Sequence, residues 1–282
     1  MILLDGKATA AAIRKELGEK VGKLKAATGK VPGLAVILVG EDPASSVYVR
    51  NKERACAEAG ILSKAYKLDA STSQQELEEL IRELNQDDSI DGILLQLPVP
   101  EGLDSRRCLE LIDPGKDVDG FHPMNVGRLT LGLPGFRSCT PAGVMTLLAR
   151  YGLDVSGKKA VVIGRSNIVG KPLALMLLQH NATVTVCHSR TANLADEVRS
   201  ADFVFAAVGR PHFVTREMVR DGAVVVDVGI NRTESGLVGD CDFKALESRV
   251  AAMTPVPGGI GPMTIAQLLI NTVWSFEMKQ GL

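Results

Sequence analysis

The stretch VVIGRSNIVGKP, residues 161–172, decides the fold: an apolar run of strand character enters a glycine-punctuated turn and then opens a helix. Gly164 and Gly170 let the backbone turn tightly and come close to a pyrophosphate. The unpaired N–H groups and positive dipole end of the following helix then face the anion. The turn reads G-x-S-x-x-x-G where the common dinucleotide fingerprint has G-x-G-x-x-G, and the same pattern can simply close a strand–helix connection.

The next segment, TVTVCH (183–188), alternates as a strand and ends where such a unit meets the adenosine ribose. That place carries His188, Ser189 and Arg190, with no acid before Asp196, and Arg165 lies in the glycine turn. Guanidinium groups pair with phosphate oxygens that a carboxylate would repel, so a 2′-phosphate suits these residues and NADP is favoured over NAD. The alternative is two solvated loop arginines.

With 282 residues, 45% of them hydrophobic, the chain can bury a sizeable core and has room for two domains. Its 32 basic and 33 acidic side chains leave a formal charge of −1, so no overall field draws it to nucleic acid or an anionic membrane. A small neutral-to-anionic metabolite is the expected partner. Five cysteines are scattered without a C-x-x-C pair and the four histidines do not cluster with them, which points to no metal site and no disulfide framework. No run approaches the ~18 apolar residues of a membrane span, and the N-terminal residues do not read as a signal peptide. A cytoplasmic protein is expected.

Strand and helix patterns alternate twice over, predicting an α/β protein of two α/β domains, the C-terminal one Rossmann-type. The expected junction is Thr140-Pro141-Ala142-Gly143, dividing residues 1–140 from 141–261, with a last helix at 262–282 returning to the first domain. Strands are expected at 34–40, 61–68 and 92–97, with helices at 45–59 and 73–84. The second of these helices opens on the capping box Ser73-Gln74-Gln75-Glu76. In the second half KKAVVIG, TVTVCH, FVFAAVG and AVVVDVG are strand-length runs apolar enough for central strands covered on both faces.

Four further segments bear polar chemistry. In GEDPASSVYVRNK (40–52) a turn at Asp42-Pro43 leads into a helix that places Tyr48 and Lys52 on one face. Taken alone, these read as a core-edge tyrosine and a solvated lysine. Gln96 ends GILLQL, where an open α/β sheet presents residues to its ligand crevice, and if buried it needs a hydrogen-bond partner from protein or substrate. KDVDGFHP (116–123) brings two carboxylates to a glycine turn, which turn chemistry alone also explains. PVPGGIGPMT (255–264) is a rigid loop of Pro and Gly whose amides can approach a flat ligand.

These segments, with CHSRT and DVGIN, occur together and in order, and through them the chain resembles the bifunctional methylenetetrahydrofolate dehydrogenase/methenyltetrahydrofolate cyclohydrolase family over nearly its whole length. The resemblance implies a homodimer of two-domain subunits, with tetrahydrofolate derivatives in a ligand cleft between the domains and NADP on the Rossmann-type one. It implies oxidation of 5,10-methylenetetrahydrofolate to the 5,10-methenyl cation, then hydrolysis to 10-formyltetrahydrofolate, a reaction sequence that serves purine biosynthesis. By that pattern Lys52 exchanges the proton of the hydrolytic step, Gln96 orients it, and Tyr48 stacks on the folate. Desolvation and a cationic intermediate push such a lysine toward its neutral form.

Asp119 matches the acid that anchors the pterin, a carboxylate being able to accept two of its N–H bonds. Pro257, Gly258 and Gly259 match cleft-lining positions. Gly164, Arg165, Ser166, Ser189, Arg190 and Ile230 match the cofactor positions. Cys241 in GDCDF and Arg190 in CHSRT depart mildly from the common pattern. The rival readings are a dehydrogenase without cyclohydrolase activity, which in the family accompanies loss of the lysine, another two-domain NADP enzyme acting on a small hydroxy or amino acid, and a non-catalytic NADP-binding regulator.

Overall fold

Seven successive buried residues, Gly33–Val39, form the middle strand of a sheet in the computed structural model. The structure describes residues 1–282 apart from Ser235 and the side chains of Pro43, Ala44 and Ser46. Those three side chains of the segment 40–52 therefore lie outside the described residues.

The first half of the chain runs β1 (Ile2–Leu3), α1 (Gly6–Thr28), β2 (Gly33–Val39), α2 (Pro43–Glu58), β3 (Leu62–Leu68), α3 (Gln74–Gln86) and β4 (Gly92–Leu95). The short helices α4 (Ser105–Leu111) and α5 (Pro123–Thr130) follow. The second half runs α6 (Cys139–Arg150), β5 (Lys159–Ile163), α7 (Gly170–Gln179), β6 (Thr183–Cys187), α8 (Leu194–Arg199), β7 (Phe203–Ala206) and β8 (Val224–Asp227). It closes with β9 (Asn231–Thr233), β10 (Gly236–Val238), α9 (Phe243–Leu246), β11 (Ala252–Met253) and α10 (Ile260–Gln280).

One compact unit comprises Ala11–Arg137 and Ile265–Leu282. Its three-stranded parallel sheet has the order β3-β2-β4. Helix α3 packs here because Leu77, Ile81 and Leu84 recur at helical spacing, and all three are buried with Ile37, Ile93 and Leu95. Each such fully buried aliphatic side chain contributes about 1.5–3 kcal/mol. The capping box forms as read: Ser73 accepts from Glu76 N and the Glu76 carboxylate accepts from Ser73 N. The C-terminal part of α10 is tied to this unit by Asn271, which donates to Val118 O at 2.7 Å, and by Ser275, which donates to Asp91 O at 2.6 Å.

The other unit comprises Met1–Ala10 and Ser138–Thr264. Its six-stranded parallel sheet has the order β1-β11-β8-β7-β5-β6. Val161, Ile163, Val204, Ala206 and Val225 form its core with Val198 and Leu246.

Three sequence expectations change here. The division of 1–140 from 141–261 does not hold at the N-terminus: β1 pairs with β11, Ile2 opposite Ala252, so the first ten residues fold with the second unit. A two-residue strand has no periodicity to read, and its partner lies far along the chain. The expected junction Thr140-Pro141-Ala142-Gly143 lies inside α6, where proline is tolerated because the first turn has no intrahelical N–H bond to lose. TVTVCH is an edge strand and not a central one: β6 has one neighbour, and Val186 is 38% exposed.

Candidate active site

Helix α2 starts where Asp42 accepts a hydrogen bond from Ser45 N at 2.7 Å, with Pro43 at its first position. The helix packs on β2 and β3, so one face is covered. Lys52 lies on that face and is only 7% exposed. This settles the question the segment alone left open, since a solvated lysine is not buried.

The Lys52 ammonium or amine donates from Nζ to Gln96 Oε1 at 2.9 Å. Gln96 follows the last residue of β4 and donates its own N–H to Ile37 O at 2.8 Å, locking it to the central strand. Its Nε2 donates to Leu97 O at 2.8 Å, so the amide is oriented with Oε1 toward Lys52. Tyr48 sits one turn before Lys52, half-buried, and burial pushes its phenol upward from the usual tyrosine range. One turn after Lys52, burial is the main cause that pushes the Cys56 thiol up to about 11, against a smaller lowering by Ser63, so no thiolate forms beside the amine near neutral pH. The constellation is an amine fixed by a neutral acceptor, next to an aromatic plate.

Asp119 occupies a turn between α4 and α5, half-buried between Val118 and Gly120. The turn is held from below by Asp117, which is buried and accepts from Phe121 N at 3.1 Å, His122 N at 2.8 Å and Asn125 Nδ2 at 2.9 Å. Burial raises the Asp117 carboxyl to about 6 against the lowering effect of these bonds, and the nearby Asp119 raises it further. Of the two carboxylates in KDVDGFHP, Asp117 holds the turn through its buried bonds, and Asp119 lies half-buried within that turn.

In the second unit the glycine turn fits a pyrophosphate. A side chain at Gly164, where φ is 121°, would place a Cβ 2.2 Å from Ala207 O, and one at Gly170 would lie 2.2 Å from Gly164 O. Ser166 Oγ accepts from Val169 N at 3.1 Å and shapes the turn into α7, while buried Ser138 donates from Oγ to Ile168 O at 2.5 Å. Gly164 N donates to Cys187 O at 2.9 Å, which sets the turn beside the end of β6. There His188 N donates to Thr191 Oγ1 and Arg190 N to His188 Nδ1, leaving Ser189 and Arg190 exposed at the tip. Arg165 and Ile230 are exposed as well. Two tight glycines, the exposed guanidinium groups of Arg165 after β5 and Arg190 after β6, and His188-Ser189-Arg190 in place of an acid at the tip of β6 match a 2′-phosphorylated dinucleotide.

Pro257, Gly258 and Gly259 link β11 to α10, and Gly258 O accepts from Lys7 N at 2.8 Å. They belong to the second unit, whereas Tyr48, Lys52, Gln96 and Asp119 belong to the first. Among the described residues no three His, Cys, Asp or Glu side chains converge as a metal site. Sequence reading passed over the structural roles of Asp117, Ser138, Asp227 and Asp240. Each is a buried polar group, whose only local signal is a carboxylate or hydroxyl amid apolar or turn residues.

Two family models match the chain. One is the tetrahydrofolate dehydrogenase/cyclohydrolase catalytic domain, at residues 4–119, and the other is the NAD(P)-binding domain of the same family, at residues 138–280. The chain is 72% identical over 285 aligned positions to a protein named Bifunctional protein FolD from Maridesulfovibrio salexigens, covering all of both. Among solved structures, it superposes on the bifunctional enzyme FolD of Campylobacter jejuni with a TM-score of 0.97 at 53% identity, covering 99% of each chain. On the FolD of Trypanosoma brucei, complexed with NADP cofactor and inhibitor, the TM-score is 0.96 at 39% identity, covering 100% of this chain and 99% of that one.

Proposed function

Because the chain belongs to the tetrahydrofolate dehydrogenase/cyclohydrolase family, we propose that Lys52, Gln96 and Tyr48 carry the hydrolytic chemistry of a bifunctional one-carbon enzyme whose second unit holds NADP. The enzyme oxidises 5,10-methylenetetrahydrofolate to 5,10-methenyltetrahydrofolate with NADP and hydrolyses that product to 10-formyltetrahydrofolate. Bound NADP⁺ supplies the hydride acceptor. Gly164, Arg165, Ser166, Ser189, Arg190 and Ile230 hold it, the glycines by admitting the pyrophosphate to the backbone and the arginines by pairing with the 2′-phosphate.

Asp119 accepts hydrogen bonds from the pterin, Tyr48 covers the ring, and Pro257, Gly258 and Gly259 line the substrate's path. In the dehydrogenase step the folate nitrogen lone pairs stabilise the cation left behind, so positioning is the protein's main contribution. In hydrolysis, water adds to the methenyl carbon, its oxygen loses both protons as the formyl C=O forms, the ring C–N bond breaks, and the departing nitrogen gains one proton, so one proton is released overall. Lys52 Nζ takes the water proton and returns one to the nitrogen. Gln96 accepts one Nζ–H, which turns the amine lone pair away from the glutamine and toward the substrate. A neutral amide does this without holding Lys52 as an ammonium ion.

The buried Lys52 bonded to Gln96 at 2.9 Å is the observation that carries this assignment. A homodimer completes the reading, supported by the open edge of β6, where Val186 is 38% exposed, and by Leu178 of α7, 60% exposed. A cytoplasmic setting and a role supplying purine biosynthesis are part of it too. The five cysteines are all buried free thiols, which suits a reducing compartment, and 10-formyltetrahydrofolate is a one-carbon donor.

The test is to give purified protein 5,10-methylenetetrahydrofolate and NADP⁺ and to follow NADPH and methenyl absorbance, beside a Lys52→Met variant of matched stability. Wild type should form NADPH and then consume the methenyl product, and the variant should stop at the methenyl stage. A variant that hydrolyses at the wild-type rate removes Lys52 from the mechanism.

A further inference from the structure

The strand order bears on how a bound cofactor would run. Ser189 and Arg190, suited to the 2′-phosphate, stand at the tip of β6, and the glycine turn follows β5, so the nicotinamide half would extend toward the loops after β7 and β8. Those loops are joined to the glycine turn by backbone: Ala207 N donates to Ile163 O at 2.8 Å, and Val228 N to Ala206 O at 2.9 Å. What holds their outer parts is a single side chain from beyond β10.

Asp240 is fully buried, with 0% exposure. Its Oδ2 accepts from Val208 N at 2.6 Å and Gly209 N at 3.0 Å, and its Oδ1 accepts from Arg210 N at 2.9 Å and Asn231 Nδ2 at 2.9 Å. Three consecutive amides of one loop and the first residue after Ile230 in the other therefore converge on one carboxylate. Asp240 is itself fixed. Its N–H donates to Asp227 Oδ1 at 3.0 Å, and the buried Asp227 also accepts from Gly229 N at 3.0 Å and Cys241 N at 2.8 Å. The fit is close enough that a Cβ at Gly229 would lie 2.2 Å from Asp240 Cγ.

We propose that Asp240 is a positioning residue for NADP binding, clamping the Val208–Arg210 and Ile230–Asn231 loops in the arrangement that receives the nicotinamide half of the cofactor. Charge-assisted bonds to backbone amides suit this task, since they fix main chain without occupying the ligand's space. The proposal rests on the NADP assignment made above. It adds that affinity for the cofactor depends on a carboxylate that does not touch it.

The bifunctional enzyme carries its own control, because Lys52, Gln96 and Tyr48, to which the hydrolytic step is given, belong to the other unit. Asp240→Asn and Asn231→Ala are made in the full chain and NADP⁺ binding is measured by calorimetry, together with KM and kcat for both reactions. Losing one or more of these bonds should weaken NADP⁺ binding and raise its KM roughly 10- to 100-fold for Asp240→Asn and about 3- to 10-fold for Asn231→Ala. Dehydrogenase kcat at saturating NADP⁺ should change less than the KM, and cyclohydrolase should stay within about twofold.

NADP⁺ affinity unchanged in a folded variant overturns the proposal, as does cyclohydrolase falling in step with the dehydrogenase, which marks a merely structural defect. If Asp240→Asn does not fold, Asn231→Ala decides by the same criteria. A wild-type protein that binds no NADP⁺ defeats the underlying cofactor assignment instead, and is recognised before any variant is compared.

Discussion

Replacing Gln96 by glutamate tests the hydrolytic mechanism more sharply than deleting a side chain, because it keeps shape and changes charge. The acceptor oxygen lies 2.9 Å from Lys52 Nζ. A unit negative charge there would favour the protonated amine by about 6 kcal/mol at an effective dielectric near 20. Gln96 is half-buried and Lys52 nearly fully so, and bringing a carboxylate into that setting costs much of the gain. A net ~2–3 kcal/mol toward the ammonium form remains, which lowers the population of free amine by roughly 30- to 150-fold at a given pH. Cyclohydrolase activity should fall by about two orders of magnitude near neutral pH, and its pH–rate profile should move about two units to the alkaline side. The dehydrogenase, which needs no proton from Lys52, should lose no more than several-fold. Both rates are followed from pH 6 to 10 by methenyl and NADPH absorbance. A cyclohydrolase that keeps its profile, or two activities that fall equally, would refute the role given to the Lys52–Gln96 pair.

Three more outcomes are expected. Gly170→Ala drives a Cβ to 2.2 Å from Gly164 O, so the turn must open, and KM for NADP⁺ should rise at least about tenfold while cyclohydrolase persists; an unchanged KM would place the pyrophosphate elsewhere. Arg190→Glu removes a pairing with the 2′-phosphate and adds repulsion, which should shift the NADP⁺ over NAD⁺ preference by roughly 10-fold or more in kcat/KM, and an unaltered ratio removes Arg190 from the site. Asp117 binds its proton more tightly folded, at about 6, than the usual 3.8, so its contribution to stability is complete below about pH 4 and is lost as pH rises through 6. That loss is about 3 kcal/mol. Asp117→Asn, whatever constant cost its lost acceptor brings, should give a flatter dependence of the urea midpoint on pH between 4 and 6 than wild type; parallel curves would assign the carboxyl an ordinary pKa.

The resolution of Lys52 shows how far local sequence reaches. Tyr48 and Lys52 share a helix face by spacing alone, yet the same spacing suits a solvated amine. Burial and the bond to Gln96, 44 residues on, depend on β2 and β4 pairing side by side with Ile37 opposite Leu95. The edge position of β6 is similar. Its alternation marks a strand, but no window of residues tells how many neighbours the strand will have.

Features under the control of short-range physics are legible in the order of the residues. The glycine turn before α7, the capping box of α3, the strand-length apolar runs and the arginine after β6 follow from backbone sterics, hydrogen-bond reach and side-chain period, and the ordered set of motifs carried the family. Only the folded chain brings distant groups together: β1 beside β11, Lys52 against Gln96, and Asp240 reaching back 30 to 32 residues to the Val208–Arg210 loop. Such meetings depend on many strands and helices burying their apolar faces at once, and that joint free energy is not contained in any one segment.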